Sequence, residues 1–178
     1  PSVAFAESHD TPRLAHELHG NISAIKLRYI FSAFFSSAVM MPIGFEYGFQ
    51  QRLNVVKTMP EDWEEPLVNL CDFIRNVNMI KKTHRVFQEE GPVTPASQHH
   101  EKIVVLLKST VDGQQRALMV FNVDKRWRHS MTLNLEELMS APLVDIRNIS
   151  PEATGDDIAG LYEYQLSPCQ VIVLVTGS

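Results

Sequence analysis

The sequence predicts an α/β segment followed by an all-β domain, and three observations carry that prediction. Residues 3–6, Val-Ala-Phe-Ala, form a short apolar run that ends in Glu7-Ser8-His9-Asp10 and is stopped by Pro12. This is the pattern of a strand buried on both faces, as in a parallel sheet. A helix-period stretch and a second apolar run at residues 38–41 follow, the order of a βα unit feeding the next parallel strand. Beyond Gly91 the period shortens to a series of β-rich runs. The division that results is residues 1–91 for the α/β portion and 92–178 for the antiparallel β domain.

The first helix is expected from residue 22 to 35. Asn21 or Ser23 caps it, Ile22, Ile25, Tyr29 and Ala33 make one apolar stripe, and Lys26 and Arg28 mark a wet side near its start. Its second half is apolar nearly all round and therefore deeply packed. The second strand, residues 38–41, is broken by Pro42 and Gly44. The next helix is expected to open at Glu61, Asp62, Glu64 and Glu65 with Pro66 near its first position. Leu67, Leu70, Ile74, Val77 and Ile80 then recur at helical spacing, and Lys81, Lys82, His84 and Arg85 close it. Acids at one end and bases at the other suit a helix dipole.

Residues 91–97, Gly-Pro-Val-Thr-Pro-Ala-Ser, read as a linker. Strands are then expected at residues 103–107, 117–123, 131–135, 143–149, 161–166 and 171–175, with Asp112-Gly113 marking a hairpin turn. Several short strands at this spacing indicate an antiparallel sandwich or barrel. Two parallel strands with two helices cannot close a sheet or cover both its faces, so the first half reads as the end of something larger. The opening Pro1-Ser2 has no charged and then apolar leader, which is no signal peptide and fits a chain that starts within a longer protein.

Composition narrows the function classes. The chain has 178 residues, 44% hydrophobic and 21% charged, with net charge -5, and no basic run stands out. That is a globular composition and a poor partner for nucleic acid. Residues 29–45 carry no charge, but Ser32, Ser36, Ser37, Pro42 and Gly44 interrupt them. A spanning helix wants ~20 apolar residues, so a buried helix running into a buried strand is the better reading and no membrane is implied. Cys71 and Cys169 lie far apart. They read as buried free thiols and point to a reducing, cytoplasmic setting.

The motifs add a resemblance. Phe5-Ala6-Glu7-Ser8-His9-Asp10 resembles the fourth signature region of the alpha-amylase family of glycoside hydrolases and transglycosidases, at the end of barrel strand seven. Met41-Pro42-Ile43-Gly44-Phe45-Glu46-Tyr47-Gly48 resembles the family's segment after strand eight. Val120-Phe121-Asn122-Val123-Asp124 and the closing run from Leu166-Ser167-Pro168 resemble strands of its C-terminal β-domain, in the same order. The stretch ending Leu133-Asn134-Leu135-Glu136-Glu137-Leu138 is similar to the maltosyltransferase branch, whereas His9-Asp10 is closer to the hydrolase form. The resemblance implies the last two βα units of a TIM (β/α)8 barrel plus a C-terminal antiparallel β-sandwich. No cofactor and no metal are expected.

The resemblance also implies roles. Asp10 corresponds to the family's third catalytic carboxylate, which binds sugar hydroxyls and stabilises an oxocarbenium-like transition state. His9 hydrogen-bonds a hydroxyl of the same sugar, and Glu7, Arg13 and Glu46 join the substrate-binding set. The bland alternative for His9 is a strand-end histidine bonded to backbone. The family's nucleophile and acid/base lie on strands four and five, upstream of this sequence. Glu7 and Asp10 make poor substitutes, because nothing in the sequence raises either pKa. The expected partners are an α-1,4-glucan or oligosaccharide and the missing upstream barrel segment, with self-association through the exposed barrel edge and the faces of Phe31, Phe34 and Phe35. The alternative is a non-catalytic carbohydrate-binding or degenerate amylase-like interaction module.

Other residues leave two readings open. His99-His100-Glu101 suggests a metal site or, on its spacing, a solvated loop. His16 and His19 line a cleft or sit on a helix surface. Glu46 reaches a sugar or buttresses the barrel. Tyr47 and Phe49 stack on a sugar or pack a core. Trp127, between Arg126 and Arg128, is a carbohydrate platform or tucks under the barrel.

Overall fold

The computed structural model describes residues 1–96, 100–152 and 161–177. Strand β1 (Val3–Phe5) leads through a short helix α1 (Leu14–Glu17) into α2 (Ile22–Phe35) and then strand β2 (Ala38–Met40), which pairs with β1 in parallel, Phe5 opposite Met40. Asn21 caps α2, its side chain accepting from the Ala24 N–H at 3.0 Å. Ile25, Tyr29 and Ala33 are buried and Arg28 is exposed, as the stripe requires. The strand pair departs from expectation. Ala4 and Val39 are partly covered, but Val3 (56%), Phe5 (47%) and Met40 (40%) face solvent. Helix α2 packs against both strands.

Two further expectations need correction. Residues 61–66 do not open the second long helix. A 3-10 turn forms at Pro60–Asp62 and helix α3 runs Cys71–Thr83. The acids are used elsewhere: Glu64 accepts from the Gln50 and Gln51 N–H groups and Asp62 from Met59 N–H. The backbone between is also committed, with Leu67 and Val68 N–H donating to Tyr47 O and Leu70 N–H to Glu46 O. Those donors hold the segment against the loop after β2, out of a helix. The aromatic face of α2 is likewise not uncovered as a whole. Phe34 is fully buried and stacks on Phe87 at 4.3 Å, Phe31 meets Phe121 edge-on at 5.6 Å, and of the three Phe35 alone is exposed.

The segment read as a linker contains a strand, β3 (Val93–Pro95), that pairs antiparallel with β4 (Ile103–Ser109). Gly91 makes this possible, since a Cβ there would lie 1.7 Å from Ser109 O. Strand β5 (Arg116–Asn122) follows a turn with Gly113 at φ 72°. Then come β6 (His129–Asn134), a short helix α4 (Leu135–Met139), β7 (Ile146–Asn148), β8 (Leu161–Leu166) and β9 (Val171–Thr176). One antiparallel sheet has the order β3-β4-β5-β9-β7, and β6 pairs with β8 in a second.

Period-two alternation places β5 and β9 between two cores. Ala117, Met119, Phe121, Val171, Val173 and Val175 join the core of α2 and α3. Leu118, Val120, Ile172 and Leu174 face Met131 and Leu133 of β6 and Tyr164 and Leu166 of β8. Strands buried on both faces read as unbroken apolar runs, which these are. Among the described residues no helix is long and apolar enough to cross a membrane.

Candidate functional site

The strand β1 ends at Phe5, and the next residues turn their side chains in opposite directions. Glu7 is buried. Its Oε1 accepts from Arg13 Nη1 at 2.6 Å and its Oε2 from the Leu14 N–H at 2.6 Å, so the carboxylate caps α1 while pairing with Arg13. Burial pushes the Glu7 carboxyl above its ordinary value, against the downward pull of the Leu14 N–H and Arg13. Arg13 is equally buried and places two further donors on the neighbouring loop, Nη2 on Ile43 O at 2.8 Å and Nε on Gln51 O at 3.1 Å. One guanidinium thus ties the segment after β1 to the segment after β2. Both side chains are paired within the protein and almost wholly buried, although Arg13 also borders the groove beside Asp10.

Between these anchors the chain makes a tight turn. Thr11 Oγ1 accepts from Ser8 N–H at 2.9 Å and donates to Ser8 O, while Asp10 N–H donates to Ser8 Oγ. The turn lifts His9 and Asp10 clear of the surface. Their side chains are 49% and 82% exposed, with His9 Nε2 3.3 Å from Asp10 Oδ2. Asp10 borders an open groove of ≈ 340 Å³ whose other walls are Pro12, Arg13, His16, Gln50 and Arg52. His16, one of the two histidines weighed for a cleft, therefore lies beside Asp10. His19 is exposed at the end of α1 in a left-handed turn, φ 51°.

Glu46 stands half-buried in the turn after β2, its Oε2 accepting from the Gly44 N–H at 2.9 Å, so the carboxylate holds its own loop. Gly44 has φ 89°, and a Cβ there would meet Phe49 at 2.3 Å and Arg13 Nη2 at 2.6 Å. Glycine is what lets the guanidinium cross. Phe49 is buried 6.3 Å from the Trp63 ring and Tyr47 is half-buried beside it. Sequence reasoning missed Gln50 and Arg52, which come from irregular chain with no motif; only the fold brings them to Asp10.

The remaining candidates take other places. His99 lies outside the described residues, and the His100 Nδ1 accepts from the Lys102 and Ile103 N–H groups. Trp127 is 69% exposed. The two cysteines are free thiols, Cys169 buried and Cys71 half-buried.

No family model matches the chain, and no curated protein matches it. Solved structures do. The cyclic alpha-maltosyl-(1→6)-maltose hydrolase of Arthrobacter globiformis aligns at TM-score 0.66 and 21% identity, over 98% of this chain and 35% of its own. The alpha-amylase of H. orenii aligns at TM-score 0.70 and 12% identity, over 98% and 40%. The gamma-CGTase of alkalophilic Bacillus clarkii aligns at 0.69 and 14%, over 99% and 26%. The chain thus has the fold of the C-terminal part of alpha-amylase-type enzymes and spans from about a quarter to two fifths of their length.

Proposed function

We propose that this chain is the C-terminal segment of a retaining glycosidase or transglycosidase acting on α-1,4-glucans, and that Asp10 supplies its transition-state-stabilising carboxylate. The observation that carries the reading is the Asp10 side chain, 82% exposed at the C-terminal end of β1. Catalytic groups of α/β barrels stand at such strand ends. In this reading Asp10 accepts hydrogen bonds from sugar hydroxyls, which strengthen as positive charge develops at the reacting carbon. His9 donates to a hydroxyl of the same ring. Glu7 and Arg13, fixed on each other, set the height and direction of the turn, and Glu46 does the same for the facing loop through Gly44.

Retaining chemistry needs a nucleophile and an acid/base ~5–5.5 Å apart. Glu7 fills neither role while both its oxygens are occupied. We assign those two carboxylates to upstream strands of the longer protein, which leaves this segment silent alone. The solvent-facing Val3, Phe5 and Met40 support the same reading, since further barrel strands would cover them. Expressed alone, the chain is expected to associate through that face, and a monodisperse monomer with no affinity for an apolar dye counts against this. We read the antiparallel sheets as a C-terminal sandwich over residues 92–178, and two free thiols as suited to the cytoplasm.

The test is Asp10→Asn in the longer protein. Turnover of an α-glucan should drop about a hundredfold or more, as when one transition-state electrostatic contact is removed. Near-normal turnover overturns the role of Asp10 and leaves the non-catalytic module standing.

A further inference from the structure

The loop between β5 and β6 is built around an exposed tryptophan. Asn122, fully buried, donates through Nδ2 to Trp127 O, Leu166 O and Ser167 O at 2.9–3.1 Å. Asp124 fixes the other side. Its Oδ1 accepts from the Arg126 and Trp127 N–H groups at 2.8 and 3.1 Å, and its Oδ2 lies 3.0 Å from His129 Nε2. These contacts hold the Asp124 carboxyl down at about 2, with His129 the largest cause. The loop is therefore rigid, yet its side chains point outward: Lys125, Arg126, Trp127 and Arg128 are all exposed. Among the described residues none of the three cations makes a side-chain hydrogen bond or ion pair.

Those bonds fix the Trp127 backbone, and the indole stands 69% exposed on it. An indole presents a flat apolar face to a sugar ring or a base. The donors around it are cationic, and the Asp124 carboxylate is spent on the loop backbone and His129. The surface therefore suits a ligand with a stackable ring and negative charge, although the whole chain carries net charge -5. Lys125 also lines a groove of ≈ 340 Å³ with Leu18, Ala24 and Leu27. The loop thus lies beside the N-terminal half of α2, the end of the helix nearest Asp10.

We propose that Trp127 with Lys125, Arg126 and Arg128 is a secondary binding site for an anionic saccharide, a glucan bearing phosphate or carboxylate groups. Its sugar ring stacks on the indole while the anionic groups pair with the three cations. The choice of a saccharide over single-stranded nucleic acid rests on the glucan reading of the Asp10 groove.

Trp63 and Trp127 are the chain's two tryptophans, so Trp63→Phe leaves emission from Trp127 alone. A phosphorylated maltodextrin titrated into this variant of the 178-residue chain should change that emission saturably. Arg126→Ala with Arg128→Ala should weaken the binding about tenfold, and added salt should weaken it too. Equal response to an unphosphorylated maltodextrin of the same length overturns the anionic character. Tighter binding of a single-stranded oligonucleotide overturns the saccharide, and no response to any of the three overturns the site. All the substituted side chains are exposed, and circular dichroism checks that the fold is kept. Failure here leaves Asp10 untouched, because its role is read by turnover; normal turnover in Asp10→Asn beside a saturable Trp127 response would sink the groove and keep this site.

Discussion

The two ends of helix α2 handle charge in opposite ways. At its C-terminal end two lysines are consumed by backbone carbonyls. Lys81 Nζ donates to Ala33 O, Ser36 O and Phe87 O, each at 2.6 Å, and Lys108 Nζ to Phe35 O at 2.9 Å and Phe34 O at 3.3 Å. The helix has no basic residue of its own in its last turn, so α3 and β4 supply the cations its orphan carbonyls need. Beyond its N-terminal end the pair Glu7–Arg13 is equally consumed, but the turn it supports leaves Asp10 and His9 in water. One end uses ions to join the antiparallel sheet to the helix. The other uses ions to hold an acid out. An α/β barrel divides in the same way into a face for stability and a face for chemistry.

Arg13→Met should break that comparison hardest. It leaves Glu7 as a buried unpaired charge and frees two backbone carbonyls, and losing one partner of a buried pair costs about 3–5 kcal/mol. Denaturant unfolding measures it; a loss under 1 kcal/mol would mean that the pair is not what anchors the turn. Gly44→Ala attacks the same brace from the facing loop. A left-handed backbone at a residue with a side chain costs about 1–3 kcal/mol, and the added Cβ also displaces Arg13 Nη2, 2.6 Å away. Asp10→Asn in the same assay should change stability by less than about 0.5 kcal/mol, as for exposed sites.

Lys108→Met tests the other end. The side chain is 1% exposed, so its loss strands two helix-end carbonyls, at about 1–3 kcal/mol. The substitution removes a cation that links the β-sheet to α2, so the hydrogen exchange of the α2 C-terminal turn should rise more than that of its N-terminal turn. Equal change at both ends would say that the cation stabilises the fold at large and no particular helix end. Burial and the adjacent Lys108 pull Lys81 down to about 8, while three carbonyls around one Nζ favour the three-donor ammonium. Lys108→Met should therefore raise the Lys81 pKa.

These contrasts were unequally legible in the sequence. Helix α2 could be read to its last residue because Asn21 and the stripe of Ile25, Tyr29 and Ala33 are local signals. The strand that leads into Asp10 was likewise local, an apolar run closed by a polar cluster. The start of α3 could not be read that way. Glu61 to Glu65 look like a helix-dipole cluster, but the donors that capture Glu64 belong to Gln50 and Gln51, a long-range fact. Lys81 is the last-turn base of α3 that its position implies, but its reach to Ala33 O and Ser36 O at the end of α2 is again a long-range fact. Glu7 and Arg13 are charged residues beside a catalytic-looking motif, and nothing local tells a brace from a contact. Burial decides that, and burial is set by the loop after β2.

Glu90 offers the finest discrimination between the two ends. Its carboxylate gathers Ser2 N–H, Ser2 Oγ and Ser37 N–H, and also Ser37 Oγ, drawing the start of β1 and the entry to β2 together. Those donors, Ser37 Oγ first, hold its pKa down from 4.5 to about 2. A carboxyl depressed by folding contributes stability that is complete above its unfolded pKa and lost as pH falls through the folded one. Acid should therefore loosen the C-terminal end of α2 between about pH 4.5 and 2. Glu90→Gln should flatten that part of the pH–stability curve and lower the plateau above it. Asp124 and Asp112 are held down to about 2 as well and titrate in the same region, so the variant should flatten the curve only in part. An acid limb unchanged by Glu90→Gln would assign it to those two aspartates and remove Glu90 from the clamp.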